Sequence, residues 1–249
     1  MRPRTILALI PALAACLFAQ QPPVRVMASN GFKAVLEELR PQCERTIARP
    51  LTIEYNSSTG LKQKMDAGQA FDVAIVTTEL MDTLVKERKI AAGTPAALAR
   101  SGVGVGISRG APKPDIRTSD AMKRTLLNAK SVTYAEDGAS RAYVERMFDR
   151  MGIAAPMKAK TVLEQGSGRA TARVADGQTE LVLTLASEIL PVPGIELVGP
   201  LPAEHQQYVG FSAGVGAAAN NKDAAQALIK FLASPSVAPV LKTKGMDKP

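Results

Sequence analysis

The sequence predicts an α/β fold of two parallel or mixed-sheet lobes joined by two crossing segments. Three observations predict it. A strand–helix pattern occurs twice, glycine-alternating tracts bracket the second copy, and the corners between strands and helices are rich in serine, threonine and glycine. In the first copy, Val24 to Ala28 alternates as a strand, and Ser29-Asn30-Gly31 opens a helix through Leu36 and Leu39 to Arg40. Leu51 to Tyr55 is the second strand, Ser57-Ser58-Thr59-Gly60 opens a helix carrying Leu61 and Met65, and Asp72 to Val76 is the third strand. The apolar period changes from about two to about 3.6 at each corner, which is the signature of a strand giving way to a helix.

The second copy begins near Ser131. Val132 to Ala135 is a strand, and Gly138-Ala139-Ser140-Arg141 opens a helix with Val144, Met147, Phe148 and Met151, closed at Gly152. Lys158 to Leu163 reads as the next strand. Gly166-Ser167-Gly168 then opens a helix ending at Gly177, and Glu180 to Leu185 is the third strand. Similar strand spacing in both copies suits successive right-handed crossovers within a sheet. Two complete copies exceed what one core ordinarily holds, so two domains follow rather than one doubly wound sheet.

The tracts Gly102 to Ile107 and Tyr208 to Gly216 alternate glycine with bulkier residues on either side of the second copy. Each reads as an extended crossing where backbones approach closely. Residues 24–105 and 209–249 are thereby assigned to the first lobe and 106–208 to the second. The helix from Asp223 to Leu232 is expected to return and cover the first lobe.

The first 19 residues read as an export signal: Arg2 and Arg4 precede an almost uncharged run too short to span a bilayer. Cleavage after Ala19 is one route. Leu13-Ala14-Ala15-Cys16 resembles a lipobox, so a signal of residues 1–15 with a lipid anchor on Cys16 is the other. Either route leaves Cys43 as the lone thiol, which excludes a disulfide scaffold. Cys43 follows Leu39 on a helical pattern and is expected to be partly buried rather than catalytic.

The formal charge of +8 favours anions. Basic residues are scattered and aromatics make up only 4% of the chain, so no nucleic-acid strip is present. The one histidine, His205, lies in a polar segment and is expected to face solvent. No histidine–acid–serine set, metal-ligand cluster or phosphate loop is apparent, so neither a cofactor nor an enzyme is expected.

Ligands of parallel α/β sheets sit outside the carboxyl ends of the strands, where helix N-termini present free N–H groups. The corners at 29–31, 57–60, 138–141 and 166–168 all qualify. Serine and threonine are also ordinary helix caps, so one corner alone means little. Four in corresponding places point to a small anion held between the lobes. Ser29, Asn30, Ser58 and Thr59 are the candidate contacts of the first lobe, with Ala139, Ser140 and Arg141 in the second. Arg169, Tyr134 and Tyr143 are weaker candidates.

Several segments resemble the periplasmic substrate-binding proteins of molybdate-type transport systems, which have a two-lobed, type II binding fold. They are Val26-Met27-Ala28-Ser29, Ser57-Ser58-Thr59-Gly60-Leu61, Asp66-Ala67-Gly68 with Phe71 to Ile75, and the tail from Phe231 through Pro235 to Met246. The resemblance implies a periplasmic protein that captures an oxyanion such as molybdate or tungstate and hands it to a membrane permease. It further implies donors from Ser29, from Ser58 or Thr59, and from the loop at Ala139 and Ser140. Where molybdate binders of that family carry a contacting tyrosine, this chain has Leu185, with Thr184 as its polar neighbour. That departure opens two alternatives: another anion or small organic ligand, bound for transport or signalling, and an anion-processing enzyme.

Overall fold

Apolar alternation over Val24–Ser29 builds β1, whose residues pair in parallel with β2 (Leu51–Asn56) from Val24–Leu51 to Ser29–Asn56. The computed structural model describes residues 22–249, so the export signal and the lipobox at Cys16 lie outside the described residues. On the other side of β1 lies β3 (Val73–Thr77), also parallel. The helix α1 (Lys33–Ile47) follows a short 3-10 turn at Asn30–Phe32 and buries Val35, Leu36, Leu39, Cys43 and Ile47 along one stripe. It runs past Arg40, where the sequence reading ended it, because Pro41 sits on the exposed face while the buried stripe continues.

The strand β4 (Ala96–Ser108) carries the chain between lobes. Its first part pairs with β9 (Tyr208–Val215) as far as Gly102, and from Val103 onward it pairs with β7 (Leu181–Leu185). The strand β8 (Ile195–Pro200) flanks the same stretch. A side chain at Gly104 or Gly106 would collide with Leu197 or Val182, at 2.8 and 2.7 Å, which explains the glycine alternation. The tract at 208–216 behaves differently from the expected crossing. It forms β9, which pairs with β3 and β4 inside the first lobe, so the return passage is the segment 201–207 just before it.

In the second lobe, β5 (Val132–Ala135) lies between β6 (Thr161–Glu164) and β7, parallel to both. The sheets are mixed: β1, β2 and β3, and likewise β5, β6 and β7, are parallel, while β4, β8 and β9 run against their neighbours. One expected strand is corrected here. Residues 158–160 belong to the helix α6 (Ala154–Lys160), after α4 (Ser119–Asn128) and α5 (Arg141–Arg150). Alanine, methionine and lysine favour helix in this short stretch. Its last residue, Lys160, donates to the carbonyls of Leu126, Leu127 and Ala129 at 3.3, 2.6 and 2.9 Å, fixing the helix end against α4.

The remaining helices of the described chain are α2 (Ser58–Asp66), α3 (Thr78–Lys86), α7 (Ser167–Ala175), α8 (Ala186–Ile189), α9 (Lys222–Ala233) and α10 (Ala238–Thr243). As expected, α9 returns to pack on α1 and the first lobe. Its approach is fixed by Asp72, which is fully buried and accepts from Arg25 and from the N–H of Asn220, just before the helix. One apolar cluster runs from Val35 and Leu36 through Leu185 and Phe211 to Val144 and Phe148, so the lobes share a hydrophobic base.

Candidate functional site

The local sequence Asn56-Ser57-Ser58-Thr59-Gly60 divides its tasks. Asn56 Oδ1 accepts from Ser57 N–H at 2.8 Å, and Ser57 Oγ caps α2 by accepting from Gly60 N–H at 3.0 Å. With the cap supplied by Ser57, Ser58 and Thr59 are left to face the space between the lobes. Gly60 is required because a side chain there would lie 2.6 Å from Asn56 Oδ1. Ser58 Oγ accepts from Thr77 N–H at 3.2 Å, which orients the hydroxyl and leaves its proton available to a ligand.

The end of β3 supplies a second helix start. Thr77 and Thr78 border the same cavity, and no side chain caps α3. Thr78 Oγ1 and Ser212 Oγ are 2.9 Å apart, and Gly210 allows β9 to lie close to Thr78. From the second lobe come Asp137, Gly138, Ala139 and Tyr143, the last from the first turn of α5. The cavity they enclose with Tyr208 and Gly210 has a volume of about 260 Å³. The start of α5 thus faces the starts of α2 and α3 across the cleft, and all three helix dipoles favour negative charge there.

The lining contains no lysine or arginine but two acids. Asp137 Oδ1 accepts from Gly166 N–H at 2.7 Å, so one carboxylate serves the loop before α7. Glu79, in the first turn of α3, accepts from the Tyr143 hydroxyl at 3.3 Å, a bond that joins the lobes. Burial, and then the Glu79 carboxylate, push the Tyr143 phenol above its ordinary value, so it remains a protonated donor. The site therefore offers neutral hydroxyl and N–H donors together with the Glu79 carboxylate, which keeps acceptor capacity beyond its bond to Tyr143.

The structure brings Ser58, Thr59, Ala139 and the weaker candidate Tyr143 together at this cavity, whereas Ser29, Asn30, Ser140, Arg141 and Thr184 stand elsewhere. Ser29, at the end of β1, and Ser140 are both buried, at 4% and 2% exposure. Arg141 donates from Nε to Glu145 at 2.8 Å and from Nη1 to the Glu136 carbonyl at 2.9 Å, so its guanidinium is held along its own helix and loop. Asn30 borders a second cavity of about 570 Å³ with Lys33, Ser187, Glu188 and Lys244. Thr184 is buried and donates to Glu188, which also receives Ser167 Oγ–H at 2.7 Å. Burial raises the Glu188 carboxyl above its usual range against the opposing pull of these hydroxyls.

Leu185 lies in the apolar core shared by the lobes. It is 1% exposed and meets Phe211 over Gly31, where a methyl group would lie 2.4 Å from Phe211 Cζ and 3.3 Å from Leu185 Cδ1. Cys43 is buried, and that burial pushes its thiol up to about 12. His205 corrects the expectation of solvent exposure: it is 9% exposed, and its Nε2 is 2.7 Å from Ser119 Oγ. The sequence reading missed Thr77, Thr78, Glu79, Asp137 and Tyr208. For the first three a signal existed, since Thr77-Thr78 follows a strand just as the serine-rich corners do. Among the described residues, no group of three or more His, Cys, Asp or Glu side chains is arranged to hold a metal ion.

Comparison with known proteins places this geometry in context. The chain is 31% identical over 240 residues to an aconitate isomerase of Pseudomonas sp., covering 92% of this chain and 90% of that protein. In structure it is similar to the periplasmic molybdate-binding protein of Azotobacter vinelandii, with a TM-score of 0.77, 16% identity, and coverage of 91% of this chain and 99% of the other. It is also similar to a periplasmic thiamin-binding protein, with a TM-score of 0.71, 15% identity, and coverage of 92% and 83%. Those two ligands differ in charge and size, so the shared shape establishes the type II binding fold and leaves the ligand to the site. The family model for bacterial extracellular solute-binding proteins matches residues 24–247, and the chain belongs to that family.

Proposed function

We propose that this protein captures a small organic acid bearing two or more carboxylates and presents it, lobes closed, to a membrane permease. The observation that carries this reading is the 260 Å³ cavity, in which helix starts and hydroxyls from both lobes converge without a cationic side chain. At about 30 Å³ per water, that space holds roughly nine waters, more than a five-atom tetrahedral oxyanion displaces. Carboxylates spread their charge over several oxygens and suit donors distributed across a cleft. A protonated or hydroxylated group on the same ligand would meet Glu79. Ligand bridging the lobes shifts the population toward closure.

Native mass spectrometry followed by calorimetry tests the reading with citrate, cis- and trans-aconitate, succinate, molybdate, tungstate and sulfate. Binding is expected among the tricarboxylates and dicarboxylates. Joint replacement Ser58→Ala and Thr59→Ala is expected to weaken it about tenfold or more. Exclusive binding of molybdate or tungstate would return the oxyanion reading, and binding unaffected by the double replacement would move the ligand out of this cavity.

A second reading, as an isomerase of an unsaturated carboxylate, is favoured by Glu79 and Tyr143 meeting inside the cleft and by the identity to the Pseudomonas protein. Glu79 would take a proton from a methylene beside the double bond, the C–H electron pair would enter the allylic system, and rotation with return of the proton at its far end would give the other isomer. The redox state is unchanged. Proton NMR in heavy water with purified protein and cis-aconitate separates the two readings. Isomerisation with deuterium uptake, lost in Glu79→Gln while binding persists, supports the enzyme; binding without either supports capture alone.

A further inference from the structure

Behind the Tyr143 wall of the cleft lies a smaller cavity of about 90 Å³, lined by Tyr143, Arg146, Met147 and Arg150 of α5 and by His205 and Gln207 of the return segment. We propose that it is a binding site for an oxyanion of phosphate or sulfate size, distinct from the ligand cleft. The argument starts with charge. Arg146 and Arg150 are four residues apart on one helix face, an arrangement of like charges that opposes the helix unless an anion sits between them. Neither takes part in an ion pair among the described residues: of the two acids on the same helix, Glu145 is engaged by Arg141, and Asp149 is paired with neither arginine. The Arg146 guanidinium instead stacks 4.7 Å from the Tyr143 ring centroid.

His205 supplies the second, independent observation. Its Nε2 faces the Ser119 hydroxyl at 2.7 Å, while Nδ1 is buried and has no hydrogen-bond partner. The ring is thus held by Ser119 at one nitrogen while it borders the cavity. Two arginines without an ion-pair partner among the described residues, and the ring of His205, therefore border a space equal to roughly three waters, enough for one tetrahedral oxyanion. Tyr143 borders both this cavity and the ligand cleft, and Gln207 directly precedes Tyr208 of the cleft lining. An anion here would fix both of them from behind.

The lone histidine makes the test direct. Tag-free protein labelled with nitrogen-15 gives one set of imidazole signals, which is followed while phosphate, and separately sulfate, replaces chloride at constant ionic strength. A saturable shift of the His205 signals is expected, with an unchanged midpoint in the Ser58→Ala, Thr59→Ala protein. In the joint variant Arg146→Gln, Arg150→Gln the midpoint is expected to rise about tenfold or more. Should that variant fail to fold, each single glutamine replacement provides the same comparison. The proposal is overturned by the absence of a saturable shift, by equal midpoints with and without the arginines, or by loss of the shift in the Ser58, Thr59 variant, which would place the anion in the cleft.

Discussion

Replacing Asp72 with asparagine removes one charge from the most connected polar group in the first lobe. The carboxylate is 0% exposed and accepts from Arg25 Nε and Nη2, both at 3.2 Å, from Arg25 N–H and Asn220 N–H, both at 2.9 Å, and from Asn221 N–H at 3.4 Å. Burial alone would raise its pKa, but the Arg25 donors and the Asn220 N–H outweigh that effect and hold the acid at about 2. Relative to an unfolded aspartate near 3.9, this shift corresponds to roughly 2 kcal/mol, after allowing for solvent around the one-third-exposed Arg25.

The folded-state pKa is depressed, so that stability is fully present above about pH 4 and is lost as pH falls through about 2. Asparagine keeps the shape but turns an amide donor toward other donors, and breaking a buried pair in this way costs about 3 to 5 kcal/mol near neutrality. Urea unfolding followed by circular dichroism at several pH values between 7 and 2 measures both effects. Wild type is expected to lead Asp72→Asn at pH 7, and that lead is expected to shrink by about 2 kcal/mol as pH falls to about 2. A gap that stays constant with pH would refute the reasoning, as would an equally stable variant.

Three further outcomes follow from the same structure. Leu185→Ala empties a fully buried position and is expected to cost about 2 to 5 kcal/mol in chemical unfolding. Because the Glu188 carboxyl is raised in the folded protein, its ionisation lowers stability as pH rises from the unfolded carboxylate range. Glu188→Gln is therefore expected to gain stability relative to wild type at neutral pH and to lose that advantage in acid, as read by thermal unfolding. Cys43, its thiol pushed up to about 12, is expected to resist alkylation at pH 8 in native protein and to react in urea, as followed by mass spectrometry.

Local chemistry made much of the architecture legible. The cap at Ser57, the turn at Gly60 and the stripe of α1 are decided within a few residues of chain, and so is the exposure of Ser58 and Thr59 at a helix start. The return of α9 to the first lobe was also foreseeable, although its Asp72 anchor was not: Asn220 lies 148 residues away. The same distance problem hid the Tyr143–Glu79 bond, formed across 64 residues, and the burial of His205 against Ser119, 86 residues earlier. Arg141 shows the opposite failure. A long side chain at a helix start reads as a ligand contact, yet Glu145 one turn on and the Glu136 carbonyl satisfy it locally.

Leu185 acquires its meaning from its partners. It is 1% exposed, lies with Phe211 beside Gly31, where a side chain would not fit, and belongs to the apolar cluster that runs through both lobes. A hydroxyl carried to such a buried position would need a hydrogen-bond partner there, whereas leucine needs none. The polar lining of the cleft accordingly comes from other corners, Ser58, Thr59, Thr77 and Tyr143, while Asn30 and Ser187 border a separate cavity. Leu185 thus serves the core that joins the lobes, and the donors that face the cleft stand at the helix starts around it.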